Sequence, residues 1–359
     1  MPDLTKITNS TPPEWTGVEY SSVCPFNADN TRLLLIKRDH FGLYDGDGKF
    51  LKDLPISSSA EPRWSRTDPQ TFYFVSEATL KQWTDGVVSN VHAFNEYMYI
   101  SGRGESDISA DGDHLVLCGA RPDGIDEVFV YEISTGKKQS IWPQSDPFDG
   151  LKIDSRNRIV LSKDSGVYVF DGTVSWPITS VNGHACLARL AGRDVLLWCA
   201  ASDPKINANA VVAIDIKTRS ATILHTFDWD YSFHITAPDN EPWCIVSTDC
   251  PKRTLPSQLW KVYYDKTKAA EFVADTGSIY VDYNSQVKAA ISRDGSRIVG
   301  CSNFGNSADL NYCDVFMRKL QAPQPVYGTR MDYSAYVGKS VLVMVPRADG
   351  AVDIFEKKL

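Results

Sequence analysis

Polar turns alternate with short apolar runs along most of the chain, and the alternation recurs as a unit. "FNADNTRLLLI", "WSRTDPQTFYFV", "ISADGDHLVLCG", "IDSRNRIVLS", "RLAGRDVLLWC", "TAPDNEPWCIVS" and "ISRDGSRIVGCS" each set a turn ahead of a β-branched or aromatic run. These seven units are spaced by about 36 to 55 residues. Each is followed by a second strand-like run: "HFGLYD", "ATLKQWT", "DEVFVYEI", "GVYVFD", "AVVAIDI", "SQLWKVYY" and "CDVFMRKL". Most of these end in a further turn signal, such as Asp45-Gly46, Asp85-Gly86 or Asp171-Gly172. No stretch sustains the 3.6-residue helical period.

A unit of this length holds about four short strands, and a lone four-stranded sheet cannot bury both faces, so such units stack around an axis as propeller blades. The pattern predicts an all-β fold, a seven-bladed β-propeller of four-stranded antiparallel blades over residues 18–320. Residues 1–17 then form an N-terminal segment and 321–359 a tail, in which "SVLVMVPRADGAVDIFEKKL" predicts a hairpin turning at Asp349-Gly350. Either end of the chain is a candidate for closing the ring, and an eighth, degenerate blade is the alternative count.

In a propeller the innermost strand of each blade lines the channel, and the S-x-D-G turn joins it to the second strand. Strand starts near Arg63, Asp107, Asp149, His184, His234 and Lys288 are therefore predicted to gather around one channel mouth, with the loops that follow the second strands. Those loops lengthen in blades five to seven ("CAASDPKINAN", "STDCPKRTLPS", "CSNFGNSADLNYC"), which predicts a wall over one sector of the mouth. Lys205, Lys252 and Arg253 put positive charge in that wall, and Asp203, Asp249 and Asp309 offset it.

Composition narrows the partners. The net charge of −8 over 359 residues argues against broad nucleic-acid binding. No apolar run approaches the roughly 20 residues of a membrane span, so neither nucleic acid nor membrane is an expected partner. "MPDLTKITNSTPPEWTG" lacks a basic start followed by an apolar stretch, so no secretory leader is expected. Eight cysteines without a CxxC pair are predicted to be buried, reduced thiols, with disulfides the alternative. That usage suits a reducing compartment or a virion-carried protein.

Candidate chemistry centres on histidine. Of six histidines, His40, His92, His114 and His225 are expected to be structural or exposed, whereas His184 ("VNGHACLARL") and His234 ("DYSFHITAPD") sit at strand starts on adjacent blades. Two imidazoles at a mouth can act as base and acid near neutral pH or ligate a metal; the alternative is a hydrogen-bonded pair packed against the channel. Arg63 and Arg103 are cationic candidates for an acidic ligand, each with an internal ion pair as the structural alternative. Lys288, with Tyr283 and Asn284 just upstream, and Asn303 in "SNFG" complete the predicted binding set. "GRGES" does not open a helix and is not read as a phosphate loop. No G-x-S-x-G elbow, H-E-x-x-H pair or nucleotide fingerprint is present.

The S-x-D-G-x-x-hydrophobic repeat, "ISRDGSRIVGCSNFG" above all, resembles the TolB/WD40-like propeller repeat. The order "EPRWSRTDP", "GESDISADGDHLVL", "NGH", "FHITAP…WCIVST" and "SRDGSRIVGCSNFG…DVFM" also resembles propeller polysaccharide lyases of the oligogalacturonate and ulvan types, and related uncharacterised bacterial propellers. The resemblance implies β-elimination at a uronic acid in an acidic oligo- or polysaccharide, with His184 and His234 as the acid/base pair and Arg63 or Arg103 as carboxylate partners. It also marks departures. Ala185 and Cys186 follow Gly183-His184 where polar residues are usual, and Lys288 stands where a third imidazole would complete a metal site. No metal or other cofactor is therefore expected. The second functional reading is a non-catalytic binding or structural propeller for a protein, a glycan or a virion assembly.

Overall fold

The structure, a computed structural model, describes residues 4–12, 14–199, 210–227, 232–249, 257–306, 308–309, 311–320, 340–346 and 352–358, with only the backbone described for 232–233 and the last two stretches. Seven four-stranded antiparallel sheets follow one another along the chain. Blade one is built from Thr16–Gly17, Arg32–Lys37, His40–Asp45 and Phe50–Ser57, and blade two from Arg63–Trp64, Thr71–Ser76, Thr79–Thr84 and Val87–Ala93. The innermost strands of blades three to six are Tyr99–Ser101, Leu151–Ile153, Ala185–Leu190 and Ser232–Thr236. The molecule is a seven-bladed β-propeller.

The turn motif sets this geometry in a way that can be followed atom by atom. In blade seven, Ser292 Oγ donates to Asp294 Oδ1 (2.6 Å) and accepts from the Arg297 amide (2.9 Å), while Asp294 accepts from the Ser296 amide (3.0 Å). The Gly295 amide closes on the Ser292 carbonyl at 2.9 Å, with Gly295 at φ +73°. That left-handed residue is Asn30, Asn157 or Asn240 in three other turns, consistent with the tolerance of Asn for this region.

Both faces of every blade are buried, so the second strands read as continuous apolar runs, and alternate side chains serve opposite neighbours. Leu33 and Leu35 pack against Val299, Cys301 and Val315 of blade seven, while Leu34 faces Trp64 and Phe72 of blade two. Among the described residues the core divides into seven clusters, one for each pair of adjacent blades.

The ring closes through the segment before Val18. Thr5–Lys6 pairs antiparallel with Asp314–Lys319 as the outermost strand of blade seven, whose other members are Ala290–Ile291 and Arg297–Ser302. Buried Asp314 fastens it, accepting from Thr8 Oγ1 (2.8 Å), the Ser10 amide (2.8 Å) and Tyr312 Oη (2.7 Å) and pairing with Lys6 Nζ (2.6 Å). Residues 5–17 therefore belong to the propeller, which ends at Leu320. Residues 321–359 form a separate compact unit, in which Ser340–Pro346 and Val352–Lys358 make an antiparallel hairpin. The seven described cysteines are buried, and Cys250 lies outside the described residues.

Candidate functional site

The innermost strands are not all continuous, and the breaks supply the site. In blade one the strand stops at Gly17 and pairing resumes only at the Phe26–Leu33 bridge, so residues 18–25 are released from the sheet with Glu19 and Tyr20. In blade three, residues 102–108 leave the sheet after Ser101 and carry Glu105 and Asp107. The two excursions meet where Ser22 Oγ donates to the Glu105 carbonyl at 2.8 Å.

His184 immediately precedes the innermost strand of blade five, and its carbonyl accepts from the Cys199 amide at 2.9 Å. Gly183 before it has no room for a side chain, because a Cβ would lie 2.6 Å from Trp198 Nε1 and 2.8 Å from the Cys199 carbonyl. The backbone thus hugs blade five and directs the imidazole into the mouth. Its ring centroid lies 4.3 Å from that of His234 on blade six. Tyr20, reaching across from blade one, places Oη 2.9 Å from His184 Nδ1 and meets the His234 ring edge-on at 5.7 Å.

Behind Tyr20 lies a charged pair. The phenol also hydrogen bonds Glu105, whose carboxylate pairs with buried Lys152 of blade four. Glu105 can only accept, so Tyr20 gives its proton to Glu105 and receives Nδ1–H from His184. This fixes the neutral tautomer of His184 with a bare lone pair on Nε2. Burial lowers His184 to about 4, with His234 adding to the effect, and burial together with Lys288 lowers His234 to about 3. Burial and Glu105 raise the Tyr20 phenol far above its ordinary value, and Lys152 overcomes burial to hold Glu105 below its own.

On the far side of His234, Asp249 is 0 % exposed and its Oδ2 lies 3.5 Å from His234 Nδ1. Oδ1 accepts from the Val287 amide at 2.8 Å. Burial raises the Asp249 carboxyl to about 7. Lys288 of blade seven is 5 % exposed and holds its ammonium 3.2 Å from the centroid of the Tyr283 ring, which is 60 % exposed.

The predicted residues therefore separate into two groups. His184, His234 and Lys288 share the mouth. Arg63 is buried and committed elsewhere: it pairs with Glu19 (2.7 Å) and donates to the Ser106 and Pro62 carbonyls, bracing the excursions of blades one and three. Arg103 pairs with Asp126 at 2.8 Å and lies over Phe148. Asn303 is buried and ties two loops together, accepting from the Ile279 amide (2.9 Å) and donating to the Ile279 carbonyl (2.7 Å). Lys205, Lys252, Arg253 and Asp203, with most of the long loops of blades five and six, lie outside the described residues. Tyr20, Glu105 and Lys152 were missed. A register signal existed for two of them: Glu105 stands four residues before its turn serine, as Lys288 does, and Lys152 stands two before Asp154, as Arg63 does before Ser65.

The opposite end of the channel is tied by ion pairs. Arg293, in the blade-seven turn, bonds both carboxylate oxygens of Asp107 at 3.2 Å and the carbonyls of Phe26 (3.3 Å) and Trp64 (3.4 Å). Arg66 of blade two pairs with Asp239 of blade six. A cavity of about 200 Å³ runs from these pairs to Glu105 and Lys152, which also line it.

No protein-family model matches the chain, and a search of curated protein sequences finds no relative of it. Solved structures do resemble it. An oligogalacturonate lyase in complex with manganese superposes with TM-score 0.67 at 12 % identity, over 88 % of this chain and 93 % of that one. An oligogalacturonate lyase from Vibrio parahaemolyticus gives 0.63 at 10 % identity, over 88 % and 93 %. The WD40 domain of Pan2 from Neurospora crassa gives 0.56 at 15 % identity, over 89 % and 97 %. At these identities the likeness is one of fold, shared by lyases and by a WD40 domain alike.

Among the described residues no three His, Cys, Asp or Glu side chains converge as metal ligands, and Lys288 brings an ammonium beside His234 and Asp249. A divalent cation does not fit that arrangement.

Proposed function

We propose that the channel mouth takes an acidic sugar and that the protein is a carbohydrate-directed propeller, most specifically a lyase cleaving uronic-acid glycans by β-elimination. The observation that carries this reading is the Tyr20–His184 contact at 2.9 Å, backed by Glu105 and Lys152. It leaves His184 Nε2 unprotonated at neutral pH, as a general base requires.

In the proposed reaction His184 Nε2 removes the proton from C5 of the uronate. The electron pair forms the C4–C5 double bond, the C4–O4 bond breaks, and the departing O4 takes up the proton that the imidazole has carried. The Tyr20–Glu105 pair steadies the transient imidazolium, since its acceptor chain faces Nδ1–H. His234, with no exposed surface, packs the His184 ring in place.

The test is ultraviolet absorbance of the conjugated double bond while the protein is incubated with a panel of uronic-acid polysaccharides. A rise that disappears in His184→Ala supports the lyase. A flat trace across the panel with folded protein overturns it and leaves the non-catalytic binding propeller as the reading.

A further inference from the structure

Lys288 and Lys152 are both buried lysines at the mouth, yet they are treated differently. Lys152 is neutralised by Glu105, whereas Lys288 makes no ion pair among the described residues; its ammonium lies over the face of Tyr283 and feels the buried Cys301 and Cys313 thiols. A cation–π contact offsets only part of the cost of taking an ammonium out of water. Asp249, a buried carboxyl that influences it, makes no ion pair with it.

A second group beside it is also unsatisfied. Both ring nitrogens of His234 are buried without a hydrogen-bond partner, and one of them carries a proton in the neutral ring. An uncompensated cation, an uncompensated N–H donor and an exposed aromatic face thus share one sector of the mouth. The cation complements the carboxylate of a hexuronate and the aromatic ring complements the apolar face of its pyranose, while His234, with no exposed surface, stays behind them.

We propose that Lys288 is the carboxylate-binding residue of the mouth, that its ammonium serves where a divalent cation would otherwise neutralise the uronate, and that Tyr283 is the platform for the sugar ring. The inference rests on the reading of the mouth as a uronate site, and it makes that site independent of metal. Neutralising the carboxylate also acidifies the adjacent C5 proton, so the same contact would serve binding and elimination.

The experiment is a calorimetric titration of EDTA-treated protein with D-galacturonate and D-glucuronate, with D-galactose as the neutral control. The wild type is expected to bind a uronate without metal and to ignore galactose. Lys288→Met should weaken uronate binding at least tenfold, and Lys288→Arg should retain part of it. A melting temperature for Lys288→Met at or above that of the wild type shows that the fold is intact, and the Arg variant serves if it is not.

Unchanged affinity in Lys288→Met, binding that appears only on adding manganese, or no uronate binding by the wild type would each overturn the proposal. The outcomes separate it from the lyase reading. Metal-free binding through Lys288 with a flat absorbance trace keeps the carboxylate site and removes the lyase. Elimination that requires manganese keeps the lyase and removes the role of Lys288.

Discussion

Tyr20 and His184 stand 164 residues apart in sequence and 2.9 Å apart at the channel mouth. Neither could reach the other without two local irregularities: the break that frees residues 18–25 from blade one, and the glycine that lets residue 183 press against Trp198. The pair joins opposite sides of the ring and points the free nitrogen of His184 into the mouth.

If His184 is the base, His184→Ala lowers the rate of elimination by about 10²- to 10⁴-fold, the usual contribution of a positioned general base. Tyr20→Phe keeps the edge-on contact with His234 but loses the acceptor for Nδ1–H, so both tautomers become available. A smaller fall, about tenfold or somewhat more, is expected, mostly in kcat. Initial rates with a fixed polysaccharide measure both.

The pH profile carries a separate signature. A base must be unprotonated, and burial places His184 at about 4 rather than its ordinary 6.5. The acidic limb of kcat/KM should therefore fall as pH drops through about 4, with no inflection near 6.5. A limb at 6.5 would show that His184 titrates as an exposed imidazole and is not the group held by Tyr20.

Stability should vary with pH through two buried groups of opposite sign. His234 stays neutral down to about 3 in the folded protein and ionises near 6.5 when unfolded, so acidification below 6.5 favours unfolding. Asp249 keeps its proton up to about 7 when folded but loses it near 3.8 when unfolded, so raising pH between those values removes stability. Asp249→Asn, which can still accept from the Val287 amide, should raise the melting temperature at pH 8 and change it little at pH 4. Thermal melts of both proteins across this range provide the check.

At the far end of the channel, Arg293 ties blade seven to blades one, two and three through Phe26, Trp64 and Asp107. Arg293→Ala leaves Asp107 without its partner in a largely buried place and should cost about 2–4 kcal/mol in guanidinium unfolding. The double variant with Asp107→Asn should recover part of the loss, because no uncompensated carboxylate then remains.

Ring closure offers another target. Asp314→Ala removes the acceptor shared by Thr8, Ser10 and Tyr312 and the partner of Lys6. About 2–4 kcal/mol of destabilisation is expected. Hydrogen exchange should show it first at the amides of Ile7 and Val315, which are bonded across the closing sheet.

The blades were legible because the turn chemistry is local. Ser292, Asp294 and Gly295 satisfy one another within a few residues, and the same donors and acceptors recur at Ser109, Asp111 and Gly112. Strand starts were legible by counting back from those turns, which put His184, His234 and Lys288 together. Roles that depend on a distant partner were not. Nothing near Arg63 in sequence says that Glu19 neutralises it, and nothing near Tyr20 says that it faces His184. The closing strand was equally hidden, because two exposed residues, Thr5 and Lys6, carry no strand pattern of their own and take their conformation from blade seven.

That closing strand also orders events in time. Thr5 pairs with Met317, so the closing strand, made ahead of blade one, must wait for the last strand of blade seven. Six blades can fold as they leave the ribosome, each on the one before, while the seventh stays a three-stranded sheet with a bare edge. Until Thr5–Lys6 docks, that edge is open to pairing with another chain, so the latch that completes the ring is also what shields it.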